Sequence, residues 1–301
     1  EIEMPGHSEE VVAAYPQLKP ATGPIAAAYY EAPSRQLEVI AVTGTNGKTS
    51  TAWWLAHSLS NMEQSIAIPC GLIGTLGVGF PRTSPGRQGD AGEPMDVIAN
   101  GLTTPDPVLL QKTFREFVDA GVRACAIEAS SIGIEERRLD GTHIHTAVFT
   151  NFTQDHLDYH GSMDDYWRAK ASLFAWPGLQ AAVINIDDAI GRELAETLQS
   201  GGLTTGMDVW TVSCEGPARL RACDITYAGT GLQCTVSEGD ERHLLSTHLI
   251  GQYNVANLLG VIAAMRSLGV PLAACVKACQ RLQPVPGRME CIGGNAQPLV
   301  A

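Results

Sequence analysis

Residues 43–50, Thr43-Gly44-Thr45-Asn46-Gly47-Lys48-Thr49-Ser50, combine glycines, a lysine and hydroxyls in an order that suits a polyphosphate. Glycines let successive backbone N–H groups turn toward one anion, and a helix starting at Lys48 adds its partial positive charge. The lysine then reaches β- and γ-phosphates, while the Thr49 hydroxyl is a ligand for Mg²⁺. The general pattern G-x-x-x-x-G-K-[ST] is not fully met, because Val42 stands at its first position. The competing account is a glycine turn with a solvated lysine. A β-branched run at 37–43 before the loop, and helix-compatible Trp53, Trp54, Leu55, Ala56 and Leu59 after it, favour the phosphate loop.

Three other places carry candidate chemistry. Glu128 closes the string CAIEAS, so its carboxylate would emerge at the carboxyl end of a strand, where it could hold Mg²⁺ with Thr49 or simply pair with an arginine. Residues 151–161, NFTQDHLDYHG, pack polar side chains into a loop, with His156 as a candidate ligand; His143, His145, His243 and His248 read as structural. Lys170, on a helix with Tyr166 and Phe174, reads from the residues alone as a surface lysine. At 102–107, LTTPDP is a helix entry with Asp106 as its cap, and Cys275 and Cys279, four apart on a helix, read as core.

These residues need a scaffold, and the hydrophobic pattern supplies one. Strand-like runs at 37–43, 122–129, 146–151, 181–186 and 209–212 alternate with helical spacing at 48–60, 106–120, 163–174 and 190–199. Repeated βα units predict an α/β fold with a mostly parallel sheet of the phosphate-loop type and helices on both faces. From 222 to 250 the period changes to alternation with Gly229, Gly231 and Gly239 at turns, which predicts a small antiparallel β annex. Helices are expected at 254–267 and 272–282. Pro284, Pro286 and Gly287 then suggest a boundary.

The chain has 301 residues, 20 Lys+Arg against 32 Asp+Glu and a net charge of −12. The missing basic footprint argues against broad binding of nucleic acid or an anionic membrane, and any phosphates must be held by local groups. No long apolar run or signal peptide appears, and the eight cysteines form no C-x-x-C pair. The expectation is a reduced, cytoplasmic protein without membrane insertion. The initial Glu1 and the apolar 298–300 suggest a fragment.

TGTNGKTS resembles the nucleotide loop of the Mur ligases and their folylpolyglutamate synthetase relatives, and NFTQDHLDYHG followed by AKASLF resembles the MurE subgroup. The resemblance covers about residues 37–291. It implies a central ATP-binding domain at 37–284, with 1–36 a remnant of an N-terminal UDP-binding domain and linker, and 285–301 the start of a truncated C-terminal domain. By the same resemblance, Gly44, Thr45, Asn46, Gly47, Lys48, Thr49, Ser50, Asn254 and Arg288 bind ATP. Thr49, Glu128, His156 and Lys170 hold two Mg²⁺ ions, with Lys170 carbamylated. Lys48, Glu128, His156 and Lys170 are then the catalytic set, and Thr103, Thr104, Ser130, Glu136 and Arg138 bind UDP-MurNAc-dipeptide. Ile132 stands where the family commonly has histidine and Glu136 where it has glutamine. The implied reaction is ATP-dependent addition of a third amino acid, meso-diaminopimelate or L-lysine, to UDP-MurNAc-L-Ala-D-Glu through an acyl phosphate in peptidoglycan precursor synthesis, by a monomer. The alternatives are a folylpolyglutamate synthetase-like ligase, against which TTPDP and DHLDYHG argue, and an ATP-binding fragment without ligase activity.

Overall fold

Glu38–Thr43 forms β1, a nearly continuous apolar strand of the kind buried on both faces of a sheet. In the computed structural model, which describes residues 15–81, 95–99, 101–201, 206–228 and 231–288, this strand lies inside a single sheet of 11 strands. Its neighbours are β5 (Ala124–Glu128) on one side and β6 (Thr146–Phe149) on the other, both parallel. The parallel block continues through β7 (Ala181–Asn185), β8 (Asp208–Ser213) and β9 (Leu220–Ala228) in one direction, and to β2 (Cys70–Gly74) in the other.

Both ends of the sheet turn antiparallel. The expected annex is β9, β10 (Gly231–Glu238) and β11 (Glu241–Ser246), and it prolongs the main sheet through the β8–β9 pair instead of forming a second layer. At the opposite end, β2, β3 (Gly77–Pro81) and β4 (Met95–Ile98) make a meander that the hydrophobic pattern did not reveal. CGLIG and GVGFP are short and glycine-rich, so neither carries a readable alternation.

Helices cover both faces, as the βα alternation predicts. Ile40 and Val42 point into one core with Trp54 and Leu55 of α2 (Lys48–Ser60), Leu258 and Ile262 of α8 (Tyr253–Ser267) and Cys275 and Cys279 of α9 (Leu272–Cys279). Val39 and Ala41 point into the other core with Phe114 and Phe117 of α3 (Pro107–Asp119), Leu194 of α7 (Ala189–Gln199), and Leu173 and Phe174 after α6 (Met163–Ala171). Asp106 caps α3 as expected, accepting from Val108 and Leu109 N–H at 3.0 Å each.

Residues 18–29, for which no helix was expected, form helix α1 (Leu18–Tyr29) despite Pro24. Gly23 lets α1 approach Asp140 so closely that a Cβ would lie 2.0 Å from the Asp140 carbonyl oxygen. Residues 1–14, the Gly229 turn, Cys291 and the chain beyond 288 lie outside the described residues.

Candidate active site

The carboxyl ends of β1, β5 and β6 meet at the centre of the sheet, and each delivers one part of the site. After β1 the chain turns through Gly44 (φ +140) and Gly47 (φ +85) before α2 begins at Lys48. Gly44 is required by space as well as by φ, since a Cβ would sit 1.9 Å from the Thr150 hydroxyl. No side chain caps α2. Its first N–H groups are therefore free for an anion at the glycine loop, as the spacing predicts.

The loop after β6 clasps the phosphate loop. Asn151 Oδ1 accepts from Asn46 N–H at 2.9 Å, and the Thr150 hydroxyl donates to the Asn46 carbonyl at 2.6 Å. The Thr45 N–H donates to the Asn151 carbonyl at 2.8 Å. Lys48 folds back on its own loop, Nζ donating to the carbonyls of Gly44 and Thr45 at 2.9 Å each. Burial lowers its pKa, opposed by the charges of Glu128 and Asp155.

Glu128 is 1% exposed at the end of β5. Its carboxylate accepts from the Thr49 hydroxyl at 2.9 Å and the Thr75 N–H at 2.7 Å. These partners are neutral, so the alternative of an ordinary arginine pair is not what the fold builds. Burial pushes the carboxyl up, against the hydrogen bonds from Thr75 and Thr49. Thr75 comes from the β2–β3 turn and escaped sequence reasoning together with its hairpin.

Lys170 overturns its reading from residue type. It is 1% exposed, Nζ donates to the Gly44 carbonyl at 2.8 Å, and the amine lies 4.5 Å from the Tyr166 ring centroid. Burial, then repulsion from Lys48, lowers its pKa to about 6, leaving a neutral amine at neutral pH. His156 sits at the start of the one-turn helix α5 (Leu157–His160), with φ +50 and its ring edge toward Tyr166 at 5.9 Å.

Two clefts flank the phosphate loop. Apart from Arg288, the first, of about 730 Å³, is lined by neutral and apolar groups, among them Trp54, Asn185, Leu249, Tyr253, Asn254 and Asn257. The second, of about 590 Å³, is lined by Lys48, Thr49, Thr75, Thr103, Thr104, Glu128, Ser130, Arg138 and His156. Asn46, Gly47, Ser50 and Arg288 belong to both. Asn254 donates to the Ile250 carbonyl at 2.7 Å and accepts from Asn257 at 3.2 Å. Asn257 was not singled out, although Asn254-x-x-Asn257 on one helix face was a usable signal.

The predicted acceptor residues divide. Thr103, Thr104, Ser130 and Arg138 line the second cleft, with Arg138 donating to the Thr104 carbonyl at 3.0 Å. Thr104 is fully buried, and its hydroxyl donates to the Glu128 carbonyl at 2.8 Å, bracing the end of β5. Glu136 is elsewhere: it accepts from Lys19 and from the Tyr159 hydroxyl, both at 2.6 Å, and lines a separate polar hollow. Ile132 faces the second cleft.

Thr49 and Glu128 fit a hard divalent cation, since a hydroxyl and a buried carboxylate hydrogen-bonded to neutral groups converge beside the phosphate loop. Among the described residues no group of three or more His, Cys, Asp and Glu is gathered for a metal. No helix among them is long and apolar enough to cross a membrane.

Residues 42–265 match the family model of the Mur ligase middle domain. The chain is 55% identical over 293 residues to the UDP-N-acetylmuramoyl-L-alanyl-D-glutamate–2,6-diaminopimelate ligase of Acidovorax sp. (strain JS42), covering 96% of this chain and 55% of the relative. To the ligase of that name from Janthinobacterium sp. (strain Marseille) it is 48% identical, covering 94% of this chain and 54% of the relative. The chain thus spans about half the length of the curated relatives it matches. A solved structure of a ligase of that name superposes with a TM-score of 0.78 at 29% identity, covering 96% of this chain and 56% of that one. The apo form of L. casei FPGS superposes at 0.63 with 18% identity over 96% of this chain and 72% of that one, a likeness of fold alone.

Proposed function

The chain belongs to the Mur ligase family, and from that premise we propose that it is the central ATP-binding part of a ligase that adds an amino acid, meso-diaminopimelate, to UDP-MurNAc-L-Ala-D-Glu. The observation that carries this reading is the phosphate loop standing as the shared wall of two unlike clefts. A nucleoside in the neutral cleft would bring its γ-phosphate to Lys48, while an anionic acceptor in the charged cleft would bring a carboxylate to the same place.

The reaction joins that carboxylate to the γ-phosphorus, breaks the bond to ADP, and then lets an amine displace phosphate to give an amide. Little covalent chemistry falls to the protein, so its contribution is position and charge. Lys48 would leave the carbonyls of Gly44 and Thr45 for the phosphates, and the N–H groups opening α2 would cradle them. Arg138 and Ser130 would orient the acceptor, with Arg138 suited to a planar carboxylate. Arg288, on both linings, would meet the phosphates from the other side.

Mg²⁺, held by Thr49 and Glu128 at one position and by His156 and a modified Lys170 at the other, would neutralise phosphate charge when bound. The Lys170 amine, neutral near pH 7, is able to attack CO₂, forming an N–C bond and releasing one proton to give a carbamate. That converts a cation into a carboxylate beside the loop. Cytoplasmic location follows from the nature of the substrates, and the chain is taken as monomeric.

The test is phosphate release from ATP by this chain with UDP-MurNAc-L-Ala-D-Glu and meso-diaminopimelate. Release that requires both co-substrates supports the reading. Nucleotide binding without release would make the chain an ATP-binding fragment, and release with a folate acceptor would move it to the synthetase relatives.

A further inference from the structure

Tyr166 has no role in the account above, yet it touches Thr45 of the glycine loop, His156 and Lys170. It is fully buried on α6. Its ring packs against Phe152 at 5.0 Å, His160 at 5.2 Å and His156 at 5.9 Å, and the Lys170 amine lies over it. Its hydroxyl reaches across the fold to the Thr45 hydroxyl at 3.2 Å.

Donor counting fixes the direction of that bond. Thr45 Oγ1 has one proton, which goes to the Thr153 carbonyl at 3.0 Å, and it accepts from the Thr153 N–H at 2.9 Å. One lone pair remains, so Tyr166 is the donor. Thr45 is thereby saturated, and its carbonyl is one of the two that hold Lys48. The Gly44 carbonyl, the other, also holds Lys170 from the same helix as Tyr166.

We propose that Tyr166 is a positioning residue for the phosphate loop: its hydroxyl locks Thr45, so that α6 sets the distance between the loop and Lys170. The proposal rests on the nucleotide reading of the loop. Because the ring is held by its own packing, Tyr166→Phe removes the lock and leaves the fold.

The test is calorimetric titration of the chain and its Tyr166→Phe variant with Mg-ATP and with AMP, which lacks the β- and γ-phosphates. Loss of one buried hydrogen bond should weaken ATP about three- to tenfold and leave AMP within about twofold. In a Thr45→Val background, Tyr166→Phe should cost nothing more, since its partner is already gone. If the unaltered chain binds no ATP, the nucleotide reading itself fails. If it binds ATP and Tyr166→Phe binds it equally well, the lock is refuted. Equal weakening of ATP and AMP, or a further loss in the Thr45→Val background, would show general loosening and also overturns the proposal.

Discussion

The two clefts share a wall but are built from opposite materials. Asn185, Asn254 and Asn257 with Trp54, Leu249 and Tyr253 offer neutral hydrogen bonds and apolar surface on one side. Lys48, Glu128 and Arg138 offer charge on the other. A neutral aromatic base suits the first and a carboxylate the second. The phosphate loop joins them because its backbone N–H groups serve an anion approached from either side. Charge is thus concentrated at one cleft, which would let the proposed anionic substrates bind despite a net charge of −12.

The most severe way to break this comparison is to remove the wall that both clefts share. Lys48→Ala should lower co-substrate-dependent phosphate release by about a thousandfold or more, because it removes the cation that the loop itself would supply to the phosphates. Full retention would end the nucleotide assignment. Lys170→Ala should cost about a hundredfold or more in the same assay, with part of the rate restored by added acetate, since a small carboxylate can occupy the space of a carbamate. No restoration, together with no carbamate signal from ¹³C-labelled bicarbonate, would refute that role.

Substitutions on single sides sharpen the contrast. Arg138→Ala should raise the acceptor KM about tenfold or more while nucleotide affinity stays unchanged. Tyr253→Ala, on a ring 54% exposed in the neutral cleft, should weaken nucleotide about three- to tenfold and leave the acceptor KM alone. If either variant moved both constants, the clefts would not be independent.

The smallest effect is on stability. Lys170 titrates at about 6 when folded against 10.5 in the open chain. Between these values the unfolded state binds more protons, so this lysine makes stability rise with pH above about 6. Lys170→Met should flatten that rise by a few degrees of Tm in metal-free thermal melts. Burial of Glu128 acts with the opposite sign, its folded pKa being raised, so it favours the folded state at lower pH. An unchanged slope in Lys170→Met would mean that the amine is not buried neutral.

What was legible in the chain was what neighbouring residues decide. The strand–glycine–helix order around Lys48, the cap at Asp106 and the strand ending in Glu128 depend on spacings of a few residues, and these positions follow their local pattern. Helix α1 was obscured because Pro24 argues locally against a helix, while its close approach to Asp140 is not local. The β2–β4 meander was obscured because strands this short and glycine-rich are defined by the neighbour that pairs with them.

The sequence by itself therefore determined the glycine loop between strand and helix, the βα order, the sheet class and, through several motifs in series, the family. Only the tertiary structure decided that Lys170 is buried against Gly44, 126 residues away in the chain, that Thr75 and Thr49 flank Glu128, and that Glu136 is engaged by Lys19 and Tyr159 outside the cleft. Helix and turn preferences act over a few residues. Burial and its consequences for charge depend on which distant segments the fold brings together.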